Sequence, residues 1–303
     1  MQINSVSMNS RQHSYNTNFK QGLTQSRIER VKQLGFFDFE TINEKIFNRY
    51  GIKAYSGCSK TVAYCAELTA NIMSRTGFQL PKLFSFKPIP MNELGRYTGE
   101  DEVIINSGYD EFLDLEEQNR LCEGFGRGCI GSKHFLDTYL HEFSHAAHYK
   151  NILSKFGESS AYDIFWRKME FLSPENLILS PIEKFLNKFF PAEAADIKNK
   201  VFGENECLMK SKNVSEYIAD KNVSMLVSEL GEDCVVGDLD SDLASVYDED
   251  FEKTKNLNFD ADKITDPEKF LKDCIKHFDG AIWNGDINEI LLTHLSIAGM
   301  NSK

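Results

Sequence analysis

The tightest constraint on this chain lies at residues 136–147. Leu136, Tyr139, Leu140, Phe143, Ala146 and Ala147 give this stretch an apolar body at helical spacing, and the same stretch carries His141, Glu142 and His145. A helix with that much apolar surface is buried on most sides. A buried face holds two imidazoles and a carboxylate only where each finds a partner. Residues four apart on an α-helix lie nearly above one another, so His141 and His145 project from one face and can grip the same ion. Glu142 stands about 100° round the helix from His141. It is then beside such an ion but off the ligand axis, where a carboxylate can take a proton from an attacking water.

Two histidines make half of a tetrahedral site, and a catalytic site needs a third protein ligand and an open position. The segment Val214-Ser215-Glu216-Tyr217-Ile218-Ala219-Asp220 supplies a candidate. Glu216 opens a predicted helix, and Asp220 follows one turn later on the same face, placed to accept the outer N–H of a liganding histidine. An acidic residue is also favoured at any helix N-terminus by the backbone dipole, which is the plainer reading of Glu216. His148 is the competing third ligand. It stands about 10 Å from His141 along a straight helix, too far for both to serve one tetrahedral ion. His148 and Tyr217 are candidates for contact with a substrate or transition state. Tyr149 and Tyr247 are further candidates for the donor that an acyl-transfer oxyanion requires.

The pair HEFSHAAH (141–148) and SEYIAD (215–220) resembles the zincin metallopeptidases, in particular their gluzincin branch. The aromatic after the glutamate and the alanine before the acid are similar to the catalytic domains of lethal-factor-like toxins. The resemblance implies one zinc ion held by His141, His145 and Glu216, with Glu142 as general base and Asp220 orienting a ligand histidine. It implies an α+β zincin-like fold, with the active helix beside a small upper-lobe sheet and a mainly helical lower lobe. It also implies a hydrolase that cleaves peptide bonds in a peptide or protein substrate. The likeness covers residues 38–231, and a long helical insertion at 156–212 departs from the family pattern. Two other readings use the same residues: a catalytically inactive zincin-fold binding protein, and an exported effector or toxin protease without a classical signal peptide. Glu142 counts against the first, because an inactive relative has no need of a base.

Composition narrows the setting. The chain has 303 residues, 41% of them hydrophobic, which is enough for a substantial core. A formal charge of −12 argues against a general nucleic-acid or anionic-membrane surface. Seven cysteines occur without a CxxC pair, so they are expected as reduced, mostly buried thiols and not as a zinc site. No run of apolar residues suggests a transmembrane helix, and the polar start has no apolar core of a signal peptide. The expected location is cytoplasmic, or outside the cell by a route that uses no classical signal.

Along the chain, residues 1–25 are expected as a disordered polar tail. Helices are predicted at 26–35, 38–50 and 59–76, the last closed by Gly77, and strands at 52–56, 82–89 and 102–106. Residues 90–101 read as a polar turn. Gly124, Gly126, Gly128 and Gly131 mark a loop before the motif helix at 134–155, with His134 at its start. The insertion reads as helical over 160–203 in three pieces broken near Pro174, Pro181 and Pro191. A further helix spans 213–231. The stretch 232–303 is expected as an acidic loop followed by two helices, near 267–278 and 286–298, packed on the catalytic domain of 26–231. Within the acidic loop, Asp238, Asp240, Asp242 and Glu249 echo a calcium-loop spacing, but Leu243 occupies the position that needs glycine.

Overall fold

The structure, a computed structural model, describes residues 39–54, 60–91, 93–108, 136–230 and 264–299. Outside these residues lie the expected tail, the helix at 26–35, the glycine-rich loop, His134, Tyr247, four of the cysteines and the acidic stretch with its calcium-like spacing. The described residues form an α+β fold, mostly helical, with one small mixed sheet of four strands. They divide into two compact units, one of residues 1–150 and 219–241, the other of residues 151–218 and 242–303.

In the first unit, helix α1 (Phe39–Tyr50) leads into β1 (Lys53–Ala54), followed by α2 (Lys60–Arg75). Tyr50 ties the two helices together: its hydroxyl accepts from Asn71 Nδ2 at 2.8 Å and donates to Glu67 at 3.4 Å. Ile46 is fully buried, whereas Phe47, its neighbour in sequence, is 55% exposed. Gly77 ends α2 as the sequence suggests. Its φ of 78° is the left-handed value favoured by glycine, and Phe78 N–H closes the turn on Met73 O at 2.9 Å.

The sheet runs β1-β2-β4-β3, with β2 at Leu83–Lys87, β3 at Gly95–Tyr97 and β4 at Glu102–Asn106. β1 pairs parallel to β2, β2 parallel to β4, and β3 antiparallel to β4. β4 is central and buried at every position, as its Val-Ile-Ile run requires. β3 lies where a polar turn was expected. It is held by Asn106, whose Nδ2 donates to Glu93 O at 2.8 Å and to Ile89 O and Pro90 O at 3.2 Å each. Asn106 Oδ1 accepts from Ile89 N and Gly108 N, at 3.2 and 2.9 Å.

Helix α3 (Asp137–Phe156) packs its first turns on this sheet. Phe84 of β2 meets Tyr139 and Phe143, and Tyr97 of β3 meets Tyr149, each with ring centroids 6.2 Å apart. Lys150 ends this contact on Asp101 Oδ2 at 2.9 Å and on Leu80 O.

The second unit is helical. After α3 come α4 (Glu158–Tyr162), a π-helical stretch at Asp163–Met169 and another at Glu175–Leu179. Then follow α5 (Ser180–Phe189), α6 (Ala194–Gly203) and α7 (Glu206–Lys210). Pro181 does not break the chain here but sits in the first turn of α5, where no backbone donor is needed. Helix α8 (Val214–Leu230) begins in this unit and continues into the first. The last helices are α9 (Pro267–Trp283) and α10 (Ile287–Gly299). Asp266 caps α9 by accepting from Lys269 N at 3.0 Å, and Pro267 follows it, a strong start signal. Helix α9 runs past the expected stop at 278, with Gly280 buried in its interior. Phe270 of α9 packs on Phe185 of α5 at 5.4 Å, so insertion and C-terminal helices share one core.

Of the seven cysteines, Cys65, Cys207 and Cys274 fall among the described residues, and all three are buried thiols. Among the described residues no helix is long and apolar enough to cross a membrane.

Candidate metal centre

The motif segment is buried at every position from 136 to 149. His141 and His145 keep 5% exposure each, and Glu142, Ser144 and His148 none. The apolar positions Leu136, Leu140, Phe143 and Ala146 fix the rotation of α3, and so fix which way the histidines project.

Helix α8 starts where Asn213 caps it, its Oδ1 accepting from Glu216 N–H at 2.9 Å. This cap sets the register in which Glu216 occupies the first turn and Asp220 the next. Asp220 is fully buried, and its Oδ1 lies 3.1 Å from His141 Nδ1. A carboxylate only accepts, so His141 Nδ1 carries the proton and its Nε2 presents a lone pair.

That lone pair faces His145 Nε2 at 3.0 Å, with the two rings edge-on at 82°. Two nitrogens bound at the zinc–nitrogen distance on a tetrahedral ion stand about 3.3 Å apart, so the spacing suits a shared metal. Ligand atoms of His141, His145 and Glu216 all lie within 4.8 Å of one another, and all three residues are buried. Among the described residues no other group of three His, Cys, Asp or Glu side chains meets this condition. Two imidazoles and one carboxylate form a mixed N/O donor set of the kind that binds zinc with a position left open. The donors present therefore fit the ion, and the Asp220 contact on His141 Nδ1 is the outer hydrogen bond that would fix the tautomer of a liganding histidine.

The residues expected to touch a substrate fare differently. Tyr217 is fully buried, and its hydroxyl donates to Asp279 Oδ1 of α9 at 2.5 Å and lies 3.4 Å from Asn205 Oδ1. Its ring packs beside Phe278 at 6.1 Å. It anchors the start of α8 to α9 through a charge-assisted bond. His148 is wholly enclosed within α3's packing. Tyr149 packs on Tyr97.

Three further residues shape the site without having been expected there. Asn213 was legible, as an Asn-x-x-Glu helix start. Glu170 follows the first π-helical stretch. Burial pushes its carboxyl up, Lys212 opposes this, and the charge of Glu216 adds to it. Gly95 of β3 lies against Glu142: a Cβ there would stand 2.8 Å from Glu142 Cγ. Nothing in the local sequence marks either Glu170 or Gly95.

No protein-family model matches the chain, and no match was found among curated proteins or solved structures.

Proposed function

We propose that this chain is a zinc-dependent hydrolase of the zincin type, most simply a peptidase. The observation that carries the reading is the convergence of His141, His145 and Glu216 within 4.8 Å, with Asp220 bonded behind His141. A motif helix of chance composition has no reason to meet an acidic pair one turn apart on a helix that starts 58 residues after it ends, by 214 − 156. The zincin reading draws further support from the mixed sheet, with its antiparallel strand β3 at one end, beside the motif helix.

When bound, zinc supplies the Lewis acidity that lowers the pKa of a water and polarises a scissile carbonyl. The chain's own residues do the rest. His141 and His145 hold the ion from one helix face, and Glu216 completes the set from α8. Asp220 keeps the His141 Nδ1 proton in place and makes the ring a better donor through Nε2. Glu142, one residue from a ligand and shielded from bulk solvent, takes the proton of the attacking water and hands it to the leaving nitrogen. The burial of Glu142 raises the strength of its interactions with any developing charge.

The test is metal content and activity measured together. Wild type is expected to hold one zinc per chain and to digest casein or a mixed peptide library. Glu142→Gln should retain the zinc and lose turnover by a factor of about 10²–10⁴, the range of general-base catalysis. Glu216→Ala should lose the zinc. Full turnover by Glu142→Gln would reject the base, and unchanged zinc in a folded Glu216→Ala would reject the ligand set.

A further inference from the structure

Glu142 has no solvent exposure, and the strand that walls it in is β3. A Cβ built on Gly95 would meet Glu142 Cγ at 2.8 Å, Thr138 Cγ2 at 3.0 Å and Glu142 Oε1 at 3.2 Å. The first distance is shorter than real Cβ atoms show, and the other two are tight. The direction a Gly95 side chain would take thus meets the Glu142 side chain at its Cγ methylene as well as at its carboxylate.

The strand side of this contact cannot give way cheaply. Gly95 is paired with Ile105 of central β4. On one flank, Arg96 forms a buried two-bond clamp on Glu93, Nε to Oε2 and Nη2 to Oε1 at 2.8 Å each. On the other, Leu94 O accepts from Asn106 N at 2.9 Å, and Asn106 Nδ2 reaches Glu93 O. Glu142 sits on a helix whose next residue, Phe143, is locked against Phe84 of β2. The sheet fixes Gly95 and the helix fixes the backbone of Glu142, so a methyl at 95 is accommodated only if the Glu142 side chain turns away from its present place.

We propose that Gly95 is a positioning residue for Glu142: the bare backbone of β3 forms the wall that holds the carboxylate where a base must stand. The role rests on the reading of Glu142 as the base; the steric coupling between Gly95 and Glu142 does not. The proposal also separates two properties of the site. The three atoms nearest to a Cβ at Gly95 belong to Glu142 and Thr138 and none to a candidate ligand, so a change at Gly95 is expected to displace the base and leave the metal set in place.

The experiment is a double-mutant cycle of Gly95→Ala and Glu142→Ala, read by melting temperature and zinc content, with casein turnover as the third readout. Gly95→Ala alone is expected to lower Tm by about 2–10 °C, the range for overpacking by one methyl. In the Glu142→Ala background, where the Cγ and carboxylate are gone, the same change should cost little or nothing. Zinc stays at one per chain in Gly95→Ala, and kcat falls about 10–100-fold with KM nearly unchanged. If Gly95→Ala alone fails to fold, the double variant should fold and hold zinc. Equal Tm losses in both backgrounds, failure of both to fold, loss of zinc from Gly95→Ala, or full kcat in Gly95→Ala would each overturn the proposal. An active Glu142→Gln variant with the Tm coupling intact would instead reject the base and leave the contact standing.

Discussion

Replacing Asp220 isolates the hydrogen bond behind the candidate metal. Asp220 has no solvent exposure, and its Oδ1 is 3.1 Å from His141 Nδ1. Losing such an outer partner costs about 10- to 100-fold in metal affinity. That is about 1.4–2.8 kcal/mol, which agrees with the ~1.5–3 kcal/mol of a hydrogen bond to a charged group. The buried position places Asp220→Ala towards the 100-fold end, because water has poor access to replace the carboxylate. Asp220→Asn keeps an acceptor oxygen at the same reach but removes the charge, so its loss should stand near tenfold. Competition with a chromophoric chelator near neutral pH reads both constants directly. The series should run wild type, Asp220→Asn, Asp220→Ala in falling affinity. In a His141→Ala background, the Asp220 change should add almost nothing, since its partner is gone. A folded Asp220→Ala that binds zinc as wild type does would refute the view that this bond tunes a ligand.

Three other outcomes follow from groups that are not candidate ligands. Tyr217→Phe removes the 2.5 Å bond to Asp279 and should cost about 1.5–3 kcal/mol in urea unfolding; a change below the error of the fit would show the bond to be idle. Burial pushes the Cys65 and Cys274 thiols above their ordinary 9.0, with the Asp273 charge adding to the shift at Cys274 and a bond from Tyr139 opposing it at Cys65. Unfolded thiols lose protons above that pH while folded ones keep them, so stability is complete below about pH 9 and declines above it, by up to ~1.4 kcal/mol per pH unit per thiol. An alkaline slope unchanged in a Cys65→Ala/Cys274→Ala variant would contradict this assignment. Gly285 and Gly157 both have positive φ, 71° and 76°, but a Cβ at Gly285 meets Ile152 at 3.0 Å while one at Gly157 meets nothing within 4 Å. Alanine should therefore cost ~1–2 kcal/mol at 157, and ~1–3 kcal/mol more at 285; equal losses would show that backbone strain alone governs both.

What the sequence disclosed was whatever local spacing controls. The apolar positions of α3 fix which residues share a face, so the two histidines were legible, and Glu216 and Asp220 stand one turn apart wherever their helix lies. The hidden parts depend on distant residues. Gly95-Arg96-Tyr97 is too short to alternate, and it becomes a strand because Asn106 and the Arg96–Glu93 clamp hold it on β4. In the first π-helical stretch, Ile164, Phe165 and Trp166 are buried in succession, a pattern outside a single 3.6-residue stripe. Tyr217 adjoins Glu216 in sequence, but one step along a helix is about 100° of rotation, and its hydroxyl bonds Asp279 of α9, a partner 62 residues away. The sharing of one core by insertion and C-terminal helices depends on contacts such as Phe185 with Phe270, 85 residues apart by 270 − 185, which no window of sequence displays.

Asn106 gives the protein a chemical clock. An asparagine followed by serine is a site at which the side-chain amide hydrolyses to a carboxylate in a flexible chain. In the fold this amide is buried and donates to the carbonyls of Ile89, Pro90 and Glu93, so the backbone of Ser107 has little freedom to attack it. In an unfolded or nascent chain nothing protects it. An aged carboxylate at 106 has no hydrogen to donate and turns a negative charge towards three carbonyl oxygens. The native protein is thus shielded from the damage, while a chain that ages before folding loses the tie that makes 95–97 a strand.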